Sequence, residues 1–382
     1  MTWQQVRVDA EVGAPFGPDR LVAGARGLSN DANALTAVAR DTLRDRPIDG
    51  GAFRLLGLAA GPDSDGGRAV DLYRTAARLS PRDDIAQAML IDASFAQGRV
   101  GEGVQHVDAL LRIAPHLRAP LLASLLQHTG NSELVEAMVK ALAADPPWRG
   151  ALATALAGTD PTQAEAFLAA MANAAPLTPA ELAVRVEALT ALGDPTLARK
   201  VWLQSLSETD RTLDGSPFDG GFEGADQTGG FGWKWNDEPG VTIAVDAIDP
   251  VEGQQSLQMD FSGRVVRFIG PRQRLVLSPG TYEISSAVDD RTGSSRRFAW
   301  FVQCTQGPTL VELDLPAGSS SQWQTERATF DVPPDCQGQQ LTLRHTGRSM
   351  AERQISGVLR VDDVRLRKVP SSVTLPSASH PE

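Results

Sequence analysis

Lysine is nearly missing from this chain: only Lys140, Lys200, Lys234 and Lys368 accompany 32 arginines. We read that as the codon habit of a GC-rich bacterial genome, not as chemistry. No run approaches the roughly 18 apolar residues of a membrane span. The first residues are polar and carry Asp9 and Glu11, so no signal peptide is expected there. Histidine is scarce, and His106, His116, His128 and His345 form no His-x-x-x-His or Ser-His-Asp spacing. A P-loop, a dinucleotide fingerprint and Gly-x-Ser-x-Gly are all missing. The paired acids Asp289 and Asp290 make no glycosidase dyad, because consecutive strand residues point to opposite faces. These absences predict a protein that is not an enzyme. The two cysteines, Cys304 and Cys336, stand 32 positions apart with no Cys-x-x-Cys and no neighbouring histidine, which argues against metal or redox chemistry. A disulfide is the favoured reading, two isolated buried thiols the alternative.

At 382 residues and 42% hydrophobic content the chain exceeds the size at which one core usually splits, so two domains are expected. The formal charge is -11. Residues 211–368 hold 17 Lys/Arg against 21 Asp/Glu, giving -4 there and -7 elsewhere. On that count neither half is a basic patch for nucleic acid or anionic lipid. Up to Leu206 the apolar pattern is helical, with starts marked at Asp160-Pro161, Asp194-Pro195 and Thr178-Pro179, where Glu181 completes a capping box. Six hairpins are predicted, from 18–28 with 30–45 to 179–192 with 195–207. Pro47, Pro81 and Pro115 recur every 34 residues, each closing a helical pattern. From Gly50 the middle unit offers Leu56-Gly57, Ala60, Ala69, Tyr73, Ala76 and Pro81, and in this it resembles the tetratricopeptide repeat. The resemblance implies a short α-solenoid with a concave surface for a protein partner; a helical spacer is the plainer reading.

Beyond Gly215 the residues turn to Gly, Phe, Trp, Thr and Val in period-two alternation, with turn signals every eight to twelve residues. Strands are predicted at 231–235, 241–247, 256–261, 273–278, 281–288, 297–304, 309–315, 324–332, 340–346 and 357–366. Phe218-Asp219-Gly220-Gly221-Phe222-Glu223, Gly232-Trp233, Glu252-Gly253, Pro279-Gly280-Thr281-Tyr282 and Val361-Asp362-Asp363-Val364 follow in that order. Together they resemble the jelly-roll carbohydrate-binding modules of the family 4/9 type. The fold class is therefore α then β, a tetratricopeptide-like solenoid plus an antiparallel β-sandwich. Expected boundaries are an N-terminal extension at 1–17, repeats at 18–207, a linker at 208–217, the jelly roll at 218–368 and a disordered tail at 369–382. The resemblance implies a structural calcium between Glu223 and Asp362 or Asp363, and no cofactor is otherwise required.

Sugar platforms need exposed ring faces. Trp233 and Trp235 are the candidates, Trp300 reads as core, and Arg291, Arg296 and Arg297 could reach the carboxylates of an acidic polysaccharide. The domain order resembles that of bacterial exopolysaccharide-associated proteins, implying a periplasmic or envelope scaffold. A lyase or hydrolase with His345 or Tyr282 in a cleft, or a purely structural module, are the alternatives.

Overall fold

The computed structural model describes residues 32–61, 67–224, 230–236, 238–316 and 322–370. The predicted extension at 1–17, the helix at 18–28 and nearly all of the tail lie outside them. Twelve α-helices among the described residues precede two antiparallel sheets, so the predicted order, a helical part and then an antiparallel β-sandwich, is the observed one. The chain divides into two compact units, 1–188 and 189–382.

In the first unit the helices are α1 (Ala32–Asp45), α2 (Gly50–Ala60), α3 (Gly67–Leu79), α4 (Asp84–Ala96), α5 (Val100–Ile113), α6 (Arg118–Leu126), α7 (Ser132–Ala143), α8 (Gly150–Leu156), α9 (Pro161–Ala174) and the greater part of α10 (Pro179–Ala191). Early helices pack on their sequence neighbours, and later ones also on second neighbours, α5 on α7 and α7 on α9. Starts follow side-chain chemistry: the Asp49 and Asp83 carboxylates accept from the Ala52 and Ala86 amides at 3.0 and 2.9 Å, satisfying donors the helix leaves open. The α2–α3 pair approaches closely because Gly57 has no Cβ, which would lie 2.6 Å from the Tyr73 ring. Ala76 and Tyr73 are buried at that contact. Further along, Trp148 is 1% exposed and its indole donates to Asp108 at 2.7 Å. The buried Arg149 guanidinium grips Glu181 through two bonds of 2.9 and 2.7 Å. Glu181 also accepts from the Thr178 amide at 2.8 Å, completing the capping box.

The second unit begins with α11 (Pro195–Ser205) and the single turn α12 (Glu208–Arg211). Its strands are β1 (Val241–Asp246), β2 (Ser256–Val265), β3 (Ile269–Leu275), β4 (Gly280–Thr292), β5 (Phe298–Cys304), β6 (Thr309–Asp314), β7 (Gln324–Val332), β8 (Gln339–His345) and β9 (Gln354–Lys368). One sheet runs β1-β2-β9-β4-β7, the other β3-β8-β5-β6. Period-two alternation sends Leu257, Met259, Ile284, Val288, Phe298, Trp300, Leu341, Leu343, Leu359 and Val361 into the shared core. Trp300 is fully buried, its indole donating to Ser286 Oγ at 3.1 Å. The predicted strand at 231–235 is reduced to one bridge, Lys234 to Arg272.

Where a linker was expected at 208–217, the division of the units instead falls at 188/189. The physical reason is Trp202 on α11, whose ring lies 4.8 Å from Phe218 and 5.9 Å from Phe231. Gly230, at φ +52°, touches the same indole, and a Cβ there would come within 2.3 Å of it.

Candidate functional site

The predicted platform does not form at Trp233. That ring is 4% exposed, donates its N–H to the Asp219 carbonyl at 2.8 Å and packs between Phe222 and Trp300. Trp235 is half-buried against the same core. Alternation could not reveal this, because the 231–236 segment closes the open side of the sandwich beside β3 instead of lying on a face.

Sequence reasoning missed an aromatic that lies on a sheet face. The outer face of the five-stranded sheet carries side chains in register: Gln258 opposite Arg360 opposite Asp289, and beside them Thr242 opposite Asp260 opposite Val358 opposite Arg291. Arg360 and Asp289 are 3% and 1% exposed, and their ion pair is joined from outside by Arg291 at 2.8 Å. Over the Arg360 guanidinium, 5.4 Å from its carbon, sits the half-buried ring of Trp323. Its indole donates to the Asp249 carbonyl at 2.8 Å, and Arg360 donates to the Ile248 carbonyl at 2.7 Å, so the β1–β2 loop holds the ring in place. Toward β1 the face falls into a shallow groove of about 430 Å³ lined by Glu238, Thr242, Asp260, Ser262 and Arg264. Trp323 carries no motif; its pairing with Arg360 depends on a register the sequence does not display.

The predicted arginine cluster separates. Arg291 belongs to this face, Arg296 pairs with Glu352 at 2.6 Å, and Arg297 pairs with Asp314 at 3.0 Å beside the other sheet. Arginine is nonetheless locally dense within the negatively charged second half. Three connections at one end of the sandwich, 264–269, 293–297 and 344–354, hold seven arginines and one acid, Glu352.

Glu223 and Asp362 do converge, through the strap 216–224 lying along β9. Gly220 makes this possible, since a Cβ there would meet the Val364 carbonyl at 2.0 Å. Both carboxylates hold the β1–β2 loop. Glu223 accepts from the Gln254 and Gln255 amides at 2.7 and 3.0 Å, and Asp362 from those of Val251, Glu252 and Asp363 at 2.8, 3.3 and 2.6 Å. Asp363 pairs with Arg365 instead. Burial pushes the Asp362 carboxyl up to about 6, against the pull of its amide donors and with a further push from the Glu223 charge. Calcium requires six to eight oxygen ligands, whereas these carboxylates face N–H donors. No group of three or more His, Cys, Asp or Glu among the described residues is placed to share an ion. The set does not fit calcium.

Cys304 and Cys336 are bridged, with Cα atoms 5.5 Å apart, joining the end of β5 to the turn before β8. Ser294 and His345 stand 2.8 Å apart. The Gly347 amide lies 3.3 Å from His345 Nδ1, and the Ser294 hydroxyl donates to the Arg296 carbonyl at 2.8 Å. The pair staples two connections together. Tyr282 is buried, hydrogen-bonded to Ser278 at 3.1 Å.

No protein-family model matches the chain. No curated protein matches it either. Solved structures similar to its C-terminal part include carbohydrate-binding modules. A xylan-binding CBM22-1 domain from Paenibacillus barcinonensis Xyn10C is 23% identical over 39% of this chain and 91% of its own, with a TM-score of 0.29. TmCBM61, solved with β-1,4-galactotriose, is 15% identical over 40% of this chain and 96% of its own, also at 0.29. A CBM4 module is 15% identical over 41% of this chain and 99% of its own, again at 0.29.

Proposed function

We propose that this chain is a non-catalytic scaffold whose sandwich holds a glycan along the outer face of the five-stranded sheet. The observation that carries the reading is Trp323, a half-buried ring fixed over Arg360 and tied by its indole to Asp249. A pyranose stacks its C–H side on such a ring, and the ring loses little freedom on binding because the loop already holds it. Gln258, Asp260, Thr242 and Arg291 lie on the same face as hydroxyl partners. At about 4.8 Å between strands the face is roughly 19 Å wide.

The helical unit, read as tetratricopeptide-like repeats, docks a protein partner of an exopolysaccharide assembly or export machine. The bridge between the chain's two cysteines supports an oxidising compartment such as the periplasm.

Parent chain and a Trp323→Ala, Arg291→Ala variant should be compared on a glycan array and by calorimetry, with melting as the folding control. The parent is expected to bind a polysaccharide and the folded variant to lose about 1 to 3 kcal/mol, the contribution of an aromatic contact of this kind. Unchanged binding by the folded variant would reject the face as the site, and a parent that binds no glycan would reject the function.

A further inference from the structure

We propose that one end of the sandwich docks on an anionic lipid surface. The connections concerned are β2–β3 (264–269), β4–β5 (293–297) and the end of β8 with its link to β9 (344–354). They are one structural body: the Val266 amide bonds the Arg353 carbonyl at 3.0 Å, the Thr346 amide bonds the Arg297 carbonyl at 3.0 Å, and Ile269 lies opposite Arg344. Seven arginines against one acid put these segments at +6, while residues 211–368 as a whole stand at -4. Three acids outside these segments adjoin this end, Asp314 against Arg297 and Glu238 and Asp260 beside Arg264, and they lower that excess without cancelling it.

Charge alone would suit any polyanion, and the apolar residues decide between them. Val265, Ile269 and Met350 are 48%, 46% and 73% exposed on these same connections. The core does not need them, since Val266 and Phe268 turn inward between Val265 and Ile269. Large apolar side chains ringed by arginines match the boundary between headgroups and acyl chains, where the guanidinium meets phosphate and the aliphatic stem lies along the apolar layer. A hydrated polysaccharide or nucleic acid offers those three residues no apolar layer. Arg296 and Arg297 are engaged by Glu352 and Asp314, whereas Arg264, Arg267 and Arg348 form no ion pair among the described residues. Glu238 and Asp260 share the flanking groove with Arg264.

The test uses the full chain and flotation with phosphatidylcholine vesicles, with or without phosphatidylglycerol. Binding is expected only with phosphatidylglycerol and should weaken with added salt. An Arg267→Glu, Arg348→Glu variant of unchanged melting temperature should lose at least about tenfold in affinity, since each arginine near such a surface contributes roughly fivefold. Both native cysteines are bridged, so Met350→Cys provides a single thiol for an environment-sensitive fluorophore, whose emission should shift to the blue on these vesicles. Trp323→Ala should bind vesicles as the parent does, which separates this proposal from the glycan reading. Failure to float with phosphatidylglycerol would overturn the proposal. So would an unshifted fluorophore with binding displaced by polygalacturonate, which would make the end a polyanion site.

Discussion

Asp362 is a buried acid that the fold makes harder to ionise. Burial dominates, and the folded-state carboxyl titrates near 6 instead of its ordinary 3.8. A proton is therefore held more tightly folded than unfolded, so stability falls as pH rises from about 4 to 6 and is level above that. Glu352 has the opposite sign: amide donors from Ser349 and Arg348, with the Arg296 side chain, hold it down at about 2, and its contribution is lost as pH falls below the ordinary glutamate range. Denaturant midpoints measured across pH should show a component declining between pH 4 and 6 that disappears in Asp362→Asn. If the variant keeps that component, the buried charge is elsewhere. Residue roles of this kind were only partly legible in the sequence. The acids at 223 and 362 could be paired from their motifs, but amide donors in the ligand's place could not be foreseen, because the loop that supplies them lies 31 positions from Glu223 and 110 from Asp362.

Among elements, the β1–β2 loop is held from three sides, by Glu223, by Asp362 and by Trp323 with Arg360. Amide donors do for this loop what a cation would do in a calcium-bound fold. Melting temperature is accordingly expected to be the same in calcium and in EDTA; a rise of several degrees with calcium would show that oxygen ligands can be recruited here. Strand positions were readable in the sequence because alternation and turn residues act locally: eight of the nine strands among the described residues begin within three residues of prediction. Pairing was not, because register depends on partners far apart in the chain. Trp233 illustrates the difference, being a correctly placed aromatic whose burial is decided by Phe222 and Trp300.

For the whole molecule, the question is where an independently stable piece begins. Trp202 packs on Phe218 and Phe231, so a fragment of 194–370 should be more stable than one of 213–370 by about 3 to 5 kcal/mol, the usual cost of deleting a buried tryptophan. Urea midpoints of the two fragments decide it, and equal midpoints would return the boundary to 208–217. The polarity of Ser207 to Pro217 suggested a linker because sequence periodicity ends there, but periodicity reports a helix's own face and not what that face covers.

The order of strands also bears on self-association. β7 and β6 each lie at the edge of a sheet and carry Glu326, Arg327 and Asp331, or Glu312 and Asp314, while the edge of β3 is partly closed by the Lys234 bridge. Charges along an edge make the addition of a foreign strand costly. β1, with Asp246 its sole charged residue, is the least guarded edge, and a strand-forming peptide would add there first.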